Sequence, residues 1–173
     1  NAYFATLMLP AIAERAGARI AYRPFLLGGL FKLLGGAQTP GATSPEKAAH
    51  GLRDLERWGA RHHIPFRFAS RFPLSTVKAL RLALICEELG LEQQAFTEAV
   101  FRAAWAEDRD IADAAVLGAI LTTLGVDAAA ALTRIETPEV KDALRKATEE
   151  ARSRGVFGAP VCIVDGELFF GKD

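Results

Sequence analysis

The sequence predicts an α/β chain in which a small sheet-bearing portion is split by a large helical insertion. Three observations predict it. Residues 25–151 carry helical periodicity almost throughout, punctuated by glycine and proline. A helical pattern followed by an alternating segment opens the chain. Two short apolar runs separated by Asp165-Gly166 close it, and Asp-Gly in that position is a hairpin signal.

From Tyr3 to Ala16 the apolar residues Phe4, Leu7, Met8, Leu9, Ile12 and Ala13 recur at spacings of three and four. That spacing predicts a helix with one buried face, with a kink expected at Pro10 and an end at Gly17. Arg19-Ile-Ala-Tyr-Arg23 places Ile20 and Tyr22 on one side and the arginines on the other, the pattern of a half-buried strand, which Pro24 stops. Ser44-Pro45-Glu46-Lys47 sets an N-cap before a proline at the first helical position, and that helix should run to about residue 62. Further helices are expected over 75–88, 92–106, 110–124, 127–134 and 138–152. Val161–Val164 and Glu167–Phe170 form the hairpin. The chain therefore divides into residues 1–24 with 152–173, the sheet-bearing portion, and an inserted helical domain over 25–151. A hairpin and one distant strand make a poor sheet, and a further strand before Asn1 would repair it.

At 173 residues the chain can bury a sizeable core as one domain. Half of its residues are hydrophobic, while 21 Lys and Arg balance 21 Asp and Glu. No global field therefore recruits nucleic acid or anionic lipid, and a small neutral substrate is a better match than a polyanion. Apolar stretches such as 114–123 are too short to span a bilayer and no secretory leader pattern opens the chain, so a cytoplasmic location is expected. Cys86 and Cys162 form neither a Cys-x-x-Cys pair nor part of a metal-ligand cluster. Set among Ile, Leu and Val, they read as buried, inert thiols, and no metal is expected. His50, His62 and His63 read as surface or helix-end histidines. Phe101 and Trp105, four apart, belong to the core or to the wall of an apolar pocket.

The turn Gly155-Val-Phe-Gly-Ala-Pro160 couples a flexible glycine to an X-Pro bond directly before a strand. If that bond is cis, it can turn the preceding backbone groups outward, where they can pair with an extended peptide. This turn, the hairpin, the closing Gly171-Lys-Asp173, Tyr22-Arg-Pro-Phe-Leu-Leu-Gly-Gly-Leu-Phe-Lys32 and Phe101-Arg-Ala-Ala-Trp-Ala-Glu-Asp108 together resemble the 2-hydroxychromene-2-carboxylate isomerases. Those enzymes are relatives of kappa-class glutathione transferases and of disulfide oxidoreductases with a helical insertion in a thioredoxin fold.

The resemblance covers essentially the whole chain and implies a DsbA-like thioredoxin fold whose first strand lies upstream of Asn1. It implies glutathione as cofactor, an aromatic or electrophilic substrate, and possible homodimers. It further implies that Ala159 presents backbone groups to the cysteinyl part of glutathione beside a cis-Pro160. Asp173 matches the acid that meets the γ-glutamyl ammonium, Lys172 stands before it, and Lys47 matches a lysine that meets a ligand carboxylate. Ala37 replaces a frequent asparagine, a contact that Gln38 could take over. The family serine that activates the thiol would precede Asn1, so the catalytic residue is unknown from this chain. Arg67, Arg71, Ser75 and Thr76 flank Phe72-Pro73, where isomerases of the chromene acid carry basic or polar groups. The leading expectation is a glutathione-dependent isomerase of the 2-hydroxychromene-2-carboxylate type, in aromatic-compound degradation. The alternatives are a kappa-like transferase or peroxidase, a DsbA-like thiol-disulfide oxidoreductase, and a non-catalytic glutathione-binding module.

Overall fold

A computed structural model describes residues 1–36 and 44–172. Its elements are α1 (Ala2–Arg15), α2 (Leu27–Leu33), α3 (Pro45–Arg61), α4 (Val77–Leu84), α5 (Gln93–Trp105), α6 (Ala114–Thr123), α7 (Ala128–Arg134), α8 (Pro138–Ser153), β1 (Val161–Val164) and β2 (Glu167–Phe170).

Helix starts follow from local chemistry. Ser44 Oγ accepts the Lys47 backbone N–H at 3.3 Å, and Pro45 occupies the first turn of α3, where its missing N–H costs nothing. Asp113 and Asp127 accept backbone N–H bonds from Ala115 at 2.8 Å and Ala130 at 3.0 Å, capping α6 and α7. Two helices are shorter than their periodicity predicts. The segment expected as 75–88 is regular helix only over Val77–Leu84, and the one expected from residue 110 starts at Ala114. In the second case the Asp110 carboxylate accepts the Ala112 N–H at 3.0 Å, a local turn that competes with helix.

The main core lies among α4 to α8, where Leu82, Cys86, Phe96, Leu117, Leu121 and Ile135 are buried. Buried Thr148 on α8 ties the chain before α2 to this block. Its hydroxyl donates to the Leu144 carbonyl at 2.8 Å and accepts the Leu26 N–H at 3.0 Å. The first turn of α1 is likewise buried, with Phe4 fully enclosed against Tyr3 and Phe66 at ring distances of 5.6 and 5.3 Å. Tyr3 Oη donates to the Pro65 carbonyl at 2.8 Å. Enclosing a phenylalanine of this kind contributes roughly 1.5–3 kcal/mol.

The sheet consists of β1 and β2 paired antiparallel, Val161 opposite Phe170 and Val164 opposite Glu167. Asp165 and Gly166 both take positive φ, 50° and 87°, as a two-residue type I′ turn requires. The strand expected over residues 19–23 is not present as a strand. A strand exists through its ladder, and no described strand lies beside this segment, so side-chain alternation alone does not make one. Ile163, Val164, Phe169 and Phe170 remain exposed on the hairpin. Among the described residues no helix is long and apolar enough to cross a membrane.

Gly59, buried on α3, permits the close approach of the chain that leads away from that helix. A Cβ there would stand 2.9 Å from the Ile64 carbonyl oxygen and 3.2 Å from Phe66 Cβ. Gly59→Ala should therefore destabilise the protein by about 1–3 kcal/mol. Chemical denaturation checks this, with an unchanged midpoint contradicting it.

Candidate functional site

The turn before β1 is built around a small buried residue. A Cβ on Gly158 would meet the Phe170 ring at 2.8 Å, and the Phe157 ring lies 4.9 Å from that of Phe170. The Ala159–Pro160 peptide is cis, and both residues are half-buried. The Pro160 carbonyl accepts the Gly171 N–H at 3.2 Å, so the entry to β1 and the exit from β2 are joined.

Immediately after Gly171 the chain reaches α3. The Lys172 side chain is 8% exposed, with Nζ 3.3 Å from Asp54 Oδ2 and 3.9 Å above the centre of the Trp58 ring. Lys172 is also within electrostatic reach of Asn1, which stands before α1. Positions 47, 50, 54 and 58 share one face of a helix, because their spacings of three, seven and eleven approximate whole turns. Lys47 and His50 are exposed and lie toward the N-terminus of that face. At 1.5 Å per residue, Lys47 stands roughly 10 Å along the axis from Asp54. The hairpin end thus meets the helix face that carries Lys47. Asp173, Ala37 and Gln38 lie outside the described residues.

Between α1 and the hairpin is a cavity of about 350 Å³ whose walls include Met8, Leu9, Ile12, Cys162, Val164 and Phe170. Cys162 is half-buried there, and burial raises its thiol pKa. Cys86 is buried far along the chain in the helical core, its Sγ donating to the Leu82 carbonyl at 3.5 Å, and burial pushes its pKa up to about 11. Both cysteines are free. Neither thiol is activated, since activation requires a cationic or dipolar setting that lowers the pKa. Among the described residues no group of three or more His, Cys, Asp or Glu side chains is placed to hold a metal.

Trp105 leads the other aromatic cluster. It stacks on Phe66 at 6.3 Å and meets the exposed rings of Phe68 and Phe72 at 5.8 and 6.2 Å. Phe101, one turn earlier on α5, faces Tyr3 at 6.4 Å. The segment carrying Phe68 and Phe72 is pinned by Asp108, which accepts the Ser70 N–H at 2.8 Å and pairs with Arg67 at 3.5 Å. The Ser70 N–H bond, then Arg67 and Arg71, hold the Asp108 carboxyl below the usual carboxylate range. Arg71 lies 3.9 Å from Asp110, and the Phe72–Pro73 peptide is also cis.

Asp54, Trp58 and Asp108 were not among the residues expected from sequence. The first two had a usable signal, their placement seven and eleven residues after Lys47. Asp108 closes the Phe101–Asp108 stretch quoted for the resemblance, but its bond to Ser70, 38 residues away, had no local signal.

A family profile described as "DSBA-like thioredoxin domain" matches residues 2–173. The chain is 30% identical over 171 residues to a 2-hydroxychromene-2-carboxylate isomerase of Sphingobium xenophagum, covering 99% of this chain and 86% of that protein. It is 31% identical over 167 residues to glutathione S-transferase kappa 1 of Homo sapiens, covering 87% of this chain and 72% of that protein. A solved structure of a 2-hydroxychromene-2-carboxylate isomerase superposes with a TM-score of 0.87 at 22% identity, over 99% of this chain and 83% of the other.

With a pKa near 11, only about one Cys86 thiol in a thousand is ionised at pH 8. Iodoacetamide at that pH should modify Cys162 slowly and Cys86 only after unfolding, as read by mass spectrometry. Equal labelling of the two in the native protein would contradict this assignment.

Proposed function

The chain belongs to the DSBA-like thioredoxin domain family, and from that premise we propose that it is a glutathione-dependent isomerase of the 2-hydroxychromene-2-carboxylate type, acting on a conjugated aromatic acid. The observation that carries this reading is the contact between Lys172 and α3, which brings the hairpin end onto the helix face presenting Lys47.

The residues present fit a γ-glutamyl tripeptide in chemistry. Ala159 has no bulk beyond Cβ, stands at the entry to a strand, and offers backbone groups to an extended ligand. Lys47 is an exposed cation suited to a carboxylate, and Asp173 is the acid proposed for the ligand ammonium. Glutathione would supply a thiol that adds to a conjugated acceptor, permits rotation about the former double bond, and leaves unchanged. The protein's part is to hold the peptide against Ala159 and Pro160 and to aim it at the acceptor. It would also favour the thiolate through the positive N-terminal end of α1.

A second reading, a kappa-like transferase, is favoured by one specific feature. Arg67 and Arg71, the cations beside the exposed Phe68 and Phe72, are already engaged by Asp108 and Asp110. An apolar acceptor suits that surface as well as an aromatic acid does. Isomerisation of 2-hydroxychromene-2-carboxylate, followed by absorbance with and without glutathione, decides between the two. Turnover that requires glutathione supports the isomerase. Conjugation of an activated aryl halide with no isomerisation would replace it by the transferase. In either assay Lys47→Ala should raise KM for glutathione about tenfold and leave kcat within about twofold, since the lost charge-assisted bond serves binding.

A further inference from the structure

We propose that Asp54 and Trp58 are positioning residues of the glutathione site, acting through Lys172 to set the turn at Ala159. The inference rests on the glutathione-dependent reading above and identifies parts of that site which lie on α3.

Lys172 is the strand-end residue whose charge would ordinarily be in water. Instead its side chain is almost fully enclosed, with the ammonium over an indole face and beside a carboxylate. An ammonium withdrawn from water depends on such partners, and a cation over tryptophan gains most when it is desolvated. These contacts hold Lys172 against α3, which suits a holding role.

The path from this clasp to the turn is short. Gly171, with φ at 110°, redirects the chain out of β2, and its N–H bonds the Pro160 carbonyl at 3.2 Å. Pro160 follows Ala159, the residue assigned to the cysteinyl backbone of the ligand. On the other side Lys172 precedes Asp173, assigned to the ligand ammonium. The contact thus sets the turn at Ala159 relative to α3, which also carries Lys47. A two-stranded hairpin is marginal by itself and gains its fixed position from such external contacts.

The test uses Asp54→Asn, Lys172→Met, Lys172→Arg and the Asp54→Asn/Lys172→Met double variant in the full chain. Backbone hydrogen exchange is measured across residues 158–172, and glutathione affinity by calorimetry. Loss of the clasp should speed exchange at Phe170 to Lys172 while leaving α5 and α6 unchanged. Each of Asp54→Asn and Lys172→Met should weaken glutathione binding by about tenfold, and the double variant should be no weaker than Lys172→Met. Lys172→Arg, which keeps the charge and stacks on indole, should stay within about threefold of wild type. Unchanged exchange in Asp54→Asn would overturn the clasp. Faster exchange with unaltered affinity, or additive losses in the double variant, would overturn its link to the ligand site. Wild-type protein that does not bind glutathione would instead remove the functional reading, and with it the assignment of these residues to a glutathione site. The exchange arm would still report on the clasp itself.

Discussion

Phe4 is enclosed on all sides, and the rest of the arrangement depends on where that ring sits. It packs on Phe66, just after the close approach of Gly59 to the Ile64 carbonyl, while its neighbour Tyr3 bonds the Pro65 carbonyl. Helix α1 also packs against α5. The first turn of α1 is thereby locked to α3, to the 64–66 segment and to the helical core together. The positive end of a helix dipole is useful only if it stays in place, and buried aromatic packing holds it more firmly than surface charge could.

The hairpin is secured differently. Four of its apolar side chains are exposed, and only one flank of each strand is paired within the described residues. Its position rests on the Phe157–Phe170 contact, the Gly171–Pro160 backbone bond and the enclosed Lys172. The turn that carries Ala159 thus joins buried Val156 and Gly158 to an exposed hairpin, while α3 supplies a fixed reference through Lys172. Binding sites commonly combine a rigid scaffold with a lower-stability element of this kind.

Much of this was legible from residues alone. Ser44-Pro45 and Asp-Gly at 165–166 specify their local geometry because side chain and backbone act within a few residues of each other. The Arg19–Arg23 segment shows the limit. Its alternation is real, yet strand formation is decided by a partner that a pattern cannot supply. For Lys172, resemblance implied a place in the ligand site, and the structure adds a contact of its ammonium with Asp54 and Trp58 that spans more than a hundred residues of sequence. The Phe72–Pro73 isomer was equally hidden, because an X-Pro dipeptide alone reads as trans in most cases. The division into residues 1–24 with 152–173 and an insertion over 25–151 stays a proposal from the sequence.

The central claim is that a γ-glutamyl thiol peptide docks where the entry to β1, the end of β2 and the Lys47 face of α3 meet. Titration of the isotopically labelled protein with glutathione, followed by amide chemical shifts, tests it most directly. The account predicts the largest changes at Ala159, Val161, Lys172 and the first turns of α3, with α6 and α7 unmoved. Saturable changes confined to α6, α7 or the Phe68–Phe72 surface, with Ala159 unaffected, would contradict it.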